Sequence, residues 1–263
     1  MCPQGTVLSP FLFTLYTADS RSTNSSCPLV KFADDTAQVA KIEGEDDSVY
    51  REQVDTFVTW CDDNHLVLNT SKTKEIVIDF RKKKFQEPDL VAIKNANVER
   101  VETHKYLGVI FDNKLNFSAN TEAIIKRVNP RLYCLRKLRS FQVNPDILSS
   151  FYRAAISSVL LFGAVAWGGN VTDRDRSRLN KITRKAAQVT GQRQKDFDED
   201  YLKRLTVKAK KIDNDTTHPL AVEFTDRRIE RSGRLRQPHH RTRRYRNSFI
   251  PQAVVALNNT HRR

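Results

Sequence analysis

The hydrophobic pattern of this chain changes once along its length, and that change limits the folds it can adopt. Up to Asp112 the sequence contains short runs in which apolar and polar residues alternate, a pattern typical of strands. After Asp112 the apolar residues recur every three or four positions, which predicts helices. We therefore expect an α+β chain, with a mixed sheet-and-helix part followed by a helical part and a boundary near residues 113–118.

The first part is expected to contain two helices and a hairpin. Apolar residues at helical spacing predict a helix around 8–15 and an amphipathic helix over 45–65. The stretch LVKFADDTAQVA, residues 29–40, predicts two strands joined by a tight turn at Asp34 and Asp35. Because hairpins expose their turns, both carboxylates should be accessible to solvent, a metal ion or a substrate.

Two further strand regions precede the helical part. In KEIVIDF, residues 74–80, alternation places Ile76, Ile78 and Phe80 on one face of a predicted strand. The stretch VERVETHKYLGVIFD predicts one or two more strands around Gly108.

The helical part is predicted to begin with two long helices. Apolar spacing over 124–138 predicts the first, which Pro130 should kink or split. Asn144 and Pro145 have the residue types of an N-cap and a first helical position, so they predict the start of a second helix that ends near Gly168.

The charge of the chain favours a polyanionic partner. Lys and Arg number 45 against 31 Asp and Glu, a formal net charge of +14. Such an excess is most simply explained by binding to nucleic acid, although a basic protein can also be merely soluble. Residues 191–263 are especially rich in charge and poor in apolar residues, and we expect a loosely ordered basic C-terminal region there.

The cysteines and the most apolar run indicate the environment in which the protein folds. The four cysteines are far apart and form no CxxC pair, so we expect reduced thiols in an intracellular protein. The most apolar run, residues 154–167, is shorter than the roughly 20 residues that a membrane-spanning helix needs. No membrane partner is therefore expected.

Asp34 and Asp35 are the first candidates for chemistry. Mg²⁺ prefers carboxylate oxygens, and pairs of such ions catalyse phosphoryl transfer in polymerases and nucleases. An Asp-Asp dipeptide is also common in solvated surface turns, so the dipeptide alone is weak evidence. Its significance depends on the motifs around it.

Four motifs occur in an order that resembles a known family. They are PQGTVLSPFLF at 3–13, KFADDT at 31–36, LNTSKTKEIVIDF at 68–80 and HKYLGVIFD at 104–112. Together they resemble the palm of the reverse transcriptases of non-LTR (LINE-type) retrotransposons. Later stretches, FYRAAISSVLLFGAVAWGG, HPLAVEF and RYRNSFIP, resemble the thumb and the C-terminal end of such enzymes.

The resemblance implies a fold and a domain order. The fold would be a partial reverse-transcriptase palm, with an antiparallel sheet and packed helices, followed by an α-helical thumb and a basic tail. The implied boundaries are 1–115 for the palm, 116–190 for the thumb-like region and 191–263 for the tail.

The resemblance also implies roles for single residues. Asp34 would be a catalytic metal ligand, with Asp35 as its more tolerant neighbour, and Lys72 would lie near the triphosphate. The remaining implied residues belong to the template and nucleotide segment and to the primer grip: Pro3, Gln4, Gly5, Tyr106, Leu107 and Gly108. The alternatives are a turn glutamine, a surface lysine and a buried tyrosine.

A third helix, which Thr172 should cap, carries a row of cations. Arg174, Arg178, Lys181 and Lys185 follow one another at spacings of four, three and four, along one helix face. In a thumb this face would follow an RNA–DNA hybrid, whereas the alternative is an ordinary solvated face.

The implied parent enzyme would use Mg²⁺, an RNA template, a DNA primer and deoxynucleoside triphosphates. In the family a further aspartate and the fingers lie upstream of the PQG segment, and Pro3 here is two residues after Met1. We therefore expect this chain alone not to polymerise DNA. The alternatives are a non-catalytic nucleic-acid-binding remnant and a decayed product without a role. The family's biology and the RTRRYR cluster suggest a nuclear location.

Overall fold

The protein divides into two compact units, Met1–Val101 and Glu102–Arg263. The computed structural model describes residues 8–44, 46–81 and 88–260. Helices and small two-stranded sheets make up the secondary structure, so the expected α+β class is confirmed.

The first unit begins with a helix and a hairpin at the expected places. Helix α1 spans Leu8–Tyr16, and all of its residues are exposed or half-buried. Strand β1, Leu29–Phe32, pairs antiparallel with β2, Asp35–Gln38. Helix α2, Ser48–Asp63, confirms the amphipathic helix and buries Val54 and Cys61.

The rest of the first unit contains only very short strands among its described residues. Strand β3, Lys74–Glu75, pairs parallel with β6, Glu99–Arg100, while β4, Ala92–Ile93, and β5, Ala96–Asn97, form a small antiparallel pair. A local core is formed by Val54 of α2, Ile93 of β4, and Val91 and Val98, which flank the small antiparallel pair.

Two expectations about strands are corrected. The predicted strand over 74–80 is limited to its first two residues, because backbone pairing with β6 ends at Arg100. The expected antiparallel sheet does not form as one sheet, since the described strands form four two-stranded sheets, three antiparallel and one parallel. Alternation of apolar residues cannot supply the neighbouring strand that a sheet requires.

The second unit opens with a hairpin and a long helix. Strands β7, Thr103–Tyr106, and β8, Val109–Asp112, pair antiparallel around Gly108 as expected. Helix α3 spans Ser118–Ser140 and continues through Pro130, so the proline does not split it.

The predicted second helix of this unit forms in several pieces. Helix α4, Pro145–Phe151, passes through a π-helical stretch, Tyr152–Ser157, into α5, Ser158–Leu160. A break follows, where Gly163 has φ +60°, and α6, Ala164–Trp167, then leads into a 3₁₀ turn, Gly168–Asn170. The Asn144 side chain accepts a hydrogen bond from the backbone N–H of Asp146, which confirms the N-cap.

Helix α7 spans Asp173–Thr190 and closes the main core of the second unit. The Thr172 hydroxyl accepts from the backbone N–H of Asp175, which confirms the predicted cap, and Gly191 ends the helix with φ +70°. Among the side chains that this core buries completely are those of Leu135, Leu148, Ile156, Trp167 and Leu179.

The C-terminal region is folded, which corrects the expectation of a loosely ordered tail. Its helices are α8, Phe197–Asp213; α9, Ala221–Thr225; α10, Arg243–Arg246; and α11, Phe249–Thr260. They enclose a second core made of Ala209, Ile212, Phe224, Leu235, Ala253, Val254 and Leu257. Apolar residues are few here, but their helical spacing places enough of them on inward faces to form this core.

Among the described residues, no single helix is long and apolar enough to cross a membrane. Two consecutive helical segments, residues 145–160 and 164–170, together have the length and apolar composition of a membrane span, but they are bent by 43°. Several of their large apolar side chains, among them Leu148, Ile156 and Trp167, are buried in the core of the second unit.

Candidate functional site

The two candidate carboxylates lie at the tip of the β1–β2 hairpin. Phe32 pairs with Asp35, so the two residues of the turn are Ala33 and Asp34, and Asp35 is the first residue of β2. Ala33 adopts φ +51° to close this turn. Both aspartates are exposed to solvent.

Polar contacts from both strands hold this hairpin in place. The Lys31 ammonium donates to the carbonyl oxygens of Thr17 and, at 2.8 Å, of Ser20. The Gln38 amide donates to the carbonyl of Cys27 at 2.7 Å. Burial lowers the pKa of Lys31 from its ordinary value, and the nearby Asp19 opposes that shift. The hairpin is thus anchored through both strands, and its turn is exposed.

The hairpin supplies two potential metal ligands, Asp34 and Asp35. No group of three or more His, Cys, Asp or Glu side chains is arranged to hold a metal ion in the ranges 8–44, 46–81 and 88–260. Asp34 and Asp35 are hard oxygen ligands of the type that Mg²⁺ accepts, but they supply only two side chains. Water and substrate oxygens would complete the coordination of an ion that these two side chains hold.

Lys72 lies in an exposed turn after α2. The Asn69 side-chain oxygen accepts from the backbone N–H of Lys72 at 3.1 Å and from the hydroxyl of Ser71 at 2.7 Å. Asn69 therefore shapes the turn, a role that asparagine often has and that its position before Ser-Lys could have indicated. Within the described part of the chain, no hydrogen bond or ion pair joins Lys72 to either aspartate of the hairpin.

The predicted template and nucleotide segment lies near the start of the chain. Pro3, Gln4 and Gly5 lie outside the described residues. Their assignment to the template and nucleotide remains a prediction.

The predicted primer grip forms a tight turn in the second unit. Tyr106 pairs with Val109, and the turn residues Leu107 and Gly108 have φ of +45° and +85°. Two positive values are typical of the type I′ hairpin turn. Tyr106 is half-buried and Leu107 is exposed, so the turn has one side toward the protein and one toward solvent.

Phe162 supports this turn, and sequence analysis did not identify it. A Cβ atom on Gly108 would lie only 2.8 Å from a carbon of the Phe162 ring. The position of Phe162 follows from the break before α6, where its backbone carbonyl also accepts from the Trp167 indole N–H at 2.9 Å. The apolar run showed that a helix was present, but not that it would break at this residue.

The cationic row on α7 divides into two groups. Arg174, Lys181 and Lys185 are exposed, whereas Arg178 is half-buried between the carboxylates of Asp175 and Glu122. Three side chains thus remain directed to solvent, and Arg178 joins α7 to α3.

Asp175 is the centre of this junction. Its buried carboxylate accepts from the hydroxyls of Ser118 at 2.6 Å and Thr172 at 3.0 Å and pairs with Arg178 at 3.0 Å. Burial acts to raise the pKa of Asp175, but the hydrogen bonds from these three side chains outweigh it and hold the pKa below its ordinary value. The group stays charged and fixes the start of α7 against that of α3.

Comparison with known proteins supports one family over the first part of the chain. Residues 1–111 match the family model described as "Reverse transcriptase (RNA-dependent DNA polymerase)". Residues 117–158 match a second model, "Alkylated DNA repair protein alkB homolog 8, N-terminal". No solved structure matches.

Similar curated proteins come from mobile elements of fruit flies. The chain is 27% identical over 204 residues to a probable RNA-directed DNA polymerase from transposon X-element of Drosophila melanogaster, covering 72% of this chain and 21% of that protein. It is 26% identical to the probable polymerase from transposon BS of the same species, over 63% of this chain and 19% of the relative. It is also 24% identical to the RNA-directed DNA polymerase from mobile element jockey of Drosophila funebris, over 68% of this chain and 20% of that protein.

These matches confirm the resemblance to reverse transcriptases of non-LTR retrotransposons. The chain spans about a fifth of the length of the curated relatives it matches. Reverse transcriptases depend on divalent metal ions and act on nucleic-acid templates with nucleotide substrates.

Proposed function

We propose that this chain is the palm and thumb portion of an RNA-directed DNA polymerase, in which Asp34 and Asp35 bind the catalytic Mg²⁺. One observation carries the proposal: within the stretch that matches reverse transcriptases, both carboxylates lie exposed at the tip of an anchored hairpin. Such a tip can bring two hard oxygen ligands to a metal ion that also contacts a nucleotide.

The other residues have complementary roles in this proposal. Lys72, on its exposed turn, is a cation for the triphosphate, and Pro3, Gln4 and Gly5 contact template and nucleotide. The turn of Tyr106, Leu107 and Gly108 holds the primer end. The partners are an RNA template, a DNA primer and deoxynucleoside triphosphates. The described residues supply two metal carboxylates, so polymerisation requires a further ligand and we expect no primer extension by this chain alone.

Metal-directed cleavage tests the assignment of the hairpin without requiring polymerisation. Fe²⁺ can replace Mg²⁺ at carboxylate sites and, with ascorbate and peroxide, cuts the backbone nearby. We expect cuts close to residues 33–36, lost in Asp34→Asn and competed by Mg²⁺. Asp55→Asn, an exposed carboxylate on α2, is the matched control and should retain the cuts. Cuts that survive Asp34→Asn and Asp35→Asn would contradict the proposal.

A second candidate function is nucleic-acid binding without chemistry. The exposed cations Arg174, Lys181 and Lys185 on α7 favour it. Replacing all three by Gln should weaken binding to an RNA–DNA hybrid and flatten its dependence on salt, because fewer counterions are released. An unchanged salt slope would exclude this face as the contact. A nuclear location, which the RTRRYR cluster suggests, is also a proposal.

A further inference from the structure

The turn of the β7–β8 hairpin lies directly against the break between α5 and α6. A Cβ on Gly108, in the turn, would lie 2.8 Å and 3.2 Å from two carbons of the Phe162 ring. A Cβ on Gly163, in the break, would lie 2.9 Å from a methyl carbon of Val109. Each element therefore presents a glycine to a side chain of the other, and this allows the turn and the break to interlock.

The backbone of Phe162 is held by the core of the second unit. Its carbonyl accepts from the indole N–H of Trp167 at 2.9 Å, and Trp167 is completely buried. The Trp167 ring is in turn stacked on Phe197, with 5.4 Å between the ring centroids. The Phe162 side chain thus projects from a point of the backbone that the core fixes.

The Phe162 ring itself is not part of that core. It is 51% exposed, whereas the two preceding residues, Leu160 and Leu161, are buried. Leu107, next to the glycine that the ring contacts, is 39% exposed. The ring therefore supports the turn at a surface that a ligand can reach.

The turn has a conformation that depends on such support. Leu107 has φ +45°, a value that residues other than glycine seldom adopt, and Gly108 follows with φ +85°. A strained backbone of this kind persists only where the surrounding structure holds it. The Phe162 ring, at contact distance from Gly108, is a rigid neighbour that can do so.

We propose that Phe162 is a positioning residue for the primer. Its ring fixes the direction of the turn of Leu107 and Gly108, and with it the place of the 3′-terminal nucleotide of a DNA primer. This inference rests on the proposed function, in which that turn holds the primer end. Such support matters because reacting atoms must lie about 3–3.5 Å apart, and a displacement of about 1 Å can cost about 100-fold in rate.

Photocrosslinking from the primer end tests this role in the full chain without requiring polymerisation. The probe is an RNA template paired with a DNA primer that carries 4-thiothymine at its 3′ terminus, and mass spectrometry locates the crosslinked residues. Fluorescence anisotropy measures the affinity for the same hybrid separately. The variants are Phe162→Ala and Phe162→Tyr. The matched control is Phe141→Ala, which removes a 76% exposed ring at the end of α3.

The wild type is expected to crosslink within residues 106–108. In Phe162→Ala the yield at these residues should fall about tenfold, because the turn and the primer end are no longer held together. Affinity for the hybrid should change less than about twofold, since most of it comes from phosphate contacts made elsewhere. Phe162→Tyr keeps the ring and should restore the crosslinks, and Phe141→Ala should behave as the wild type does.

A purely structural role for Phe162 gives a different result. Affinity and crosslinking would then fall in parallel in Phe162→Ala, and this outcome would overturn the inference. Unchanged crosslinks in that variant would overturn it as well. Circular dichroism verifies folding. If Phe162→Ala does not fold, Phe162→Leu, which keeps an apolar side chain without a ring, replaces it with the same expected results.

The wild-type result separates this inference from the function on which it rests. Crosslinks within residues 106–108 that do not depend on Phe162 would remove only the role of Phe162. Wild-type crosslinks confined to other residues would contradict the assignment of the turn to the primer end, and the inference would fall with it. Neither outcome changes the assignment of Asp34 and Asp35, which metal-directed cleavage tests.

Discussion

Gly108 lies directly against the ring of Phe162, at a distance that leaves no room for a side chain. A Cβ on Gly108 would meet a ring carbon at 2.8 Å, and the backbone there has φ +85°. The turn assigned to the primer end is thus restricted both by its backbone conformation and by the neighbour that it contacts.

Replacing Gly108 by alanine should therefore destabilise the protein by about 1–3 kcal/mol, from positive-φ strain together with the clash. The measurement is urea unfolding followed by circular dichroism. Gly233→Ala is the matched control, since Gly233 has φ +63° but no neighbour within 4 Å. It carries the strain without the clash and should cost less. Equal losses would show that Phe162 moves aside freely.

The contacts of Asp175 should stabilise the folded protein, and this stabilisation should be lost at low pH. Asp175→Asn removes the charge that Arg178 pairs with and weakens the bonds from Ser118 and Thr172, so we expect a loss of about 2 kcal/mol in the free energy of unfolding. Asp173→Asn is the control. Its pair with Arg243 is 3.3 Å long and exposed, and the loss should stay below about 0.5 kcal/mol.

The pH dependence of this contribution has a defined sign. Because the pKa of folded Asp175 is below its ordinary value, its stabilisation is complete above about pH 4 and is lost as the pH falls through the folded value. Urea unfolding between pH 7 and pH 3 should therefore show a steeper acid loss in the wild type than in Asp175→Asn. Parallel curves would contradict the assignment.

Two buried tyrosines and one half-buried tyrosine should ionise only at high pH. Burial raises the pKa of Tyr50, Tyr152 and Tyr201 to about 12, with the nearby carboxylates of Glu75 and Asp200 adding to the effect at the first two. Since the folded values exceed the ordinary one near 10, the corresponding stability is present below pH 10 and is lost as the pH rises toward 12.

Absorbance at 295 nm measures this directly. Of the seven tyrosines in the chain, these three should ionise in a late phase, at about pH 12 or at alkaline unfolding. Tyr152→Phe should reduce only the late phase. A single phase near pH 10 in the folded protein would be incompatible with these burials.

Local signals in the sequence predicted much of the fold. The caps at Asn144 and Thr172 were predictable because each satisfies a backbone N–H within the next three residues. The hairpins at Asp34 and Gly108 followed from alternation on both sides of a short turn. Apolar residues that recur every three or four positions also predicted helices α3 and α7, and both are present.

What the sequence could not predict depends on contacts between distant residues. The strand at 74–80 stops early because its pairing partner ends, which alternation does not reveal. Arg178 has the spacing of a free cationic face, but Glu122 and Asp175 hold it. The hydrogen bonds of the Asn258 side chain with the Leu235 backbone join residues 23 positions apart, so charge and composition alone suggested a loose tail.

Primer extension by a chimaera tests the central assignment most directly. In the jockey polymerase of Drosophila melanogaster, 24% identical over 192 residues, the matched segment would be replaced by that of this chain. Retained binding of an RNA template with a DNA primer shows that the chimaera folds. We predict extension with Mg²⁺ that falls on the order of 100-fold or more in Asp34→Asn and persists in Asp55→Asn. Extension that is unchanged by Asp34→Asn would contradict the account.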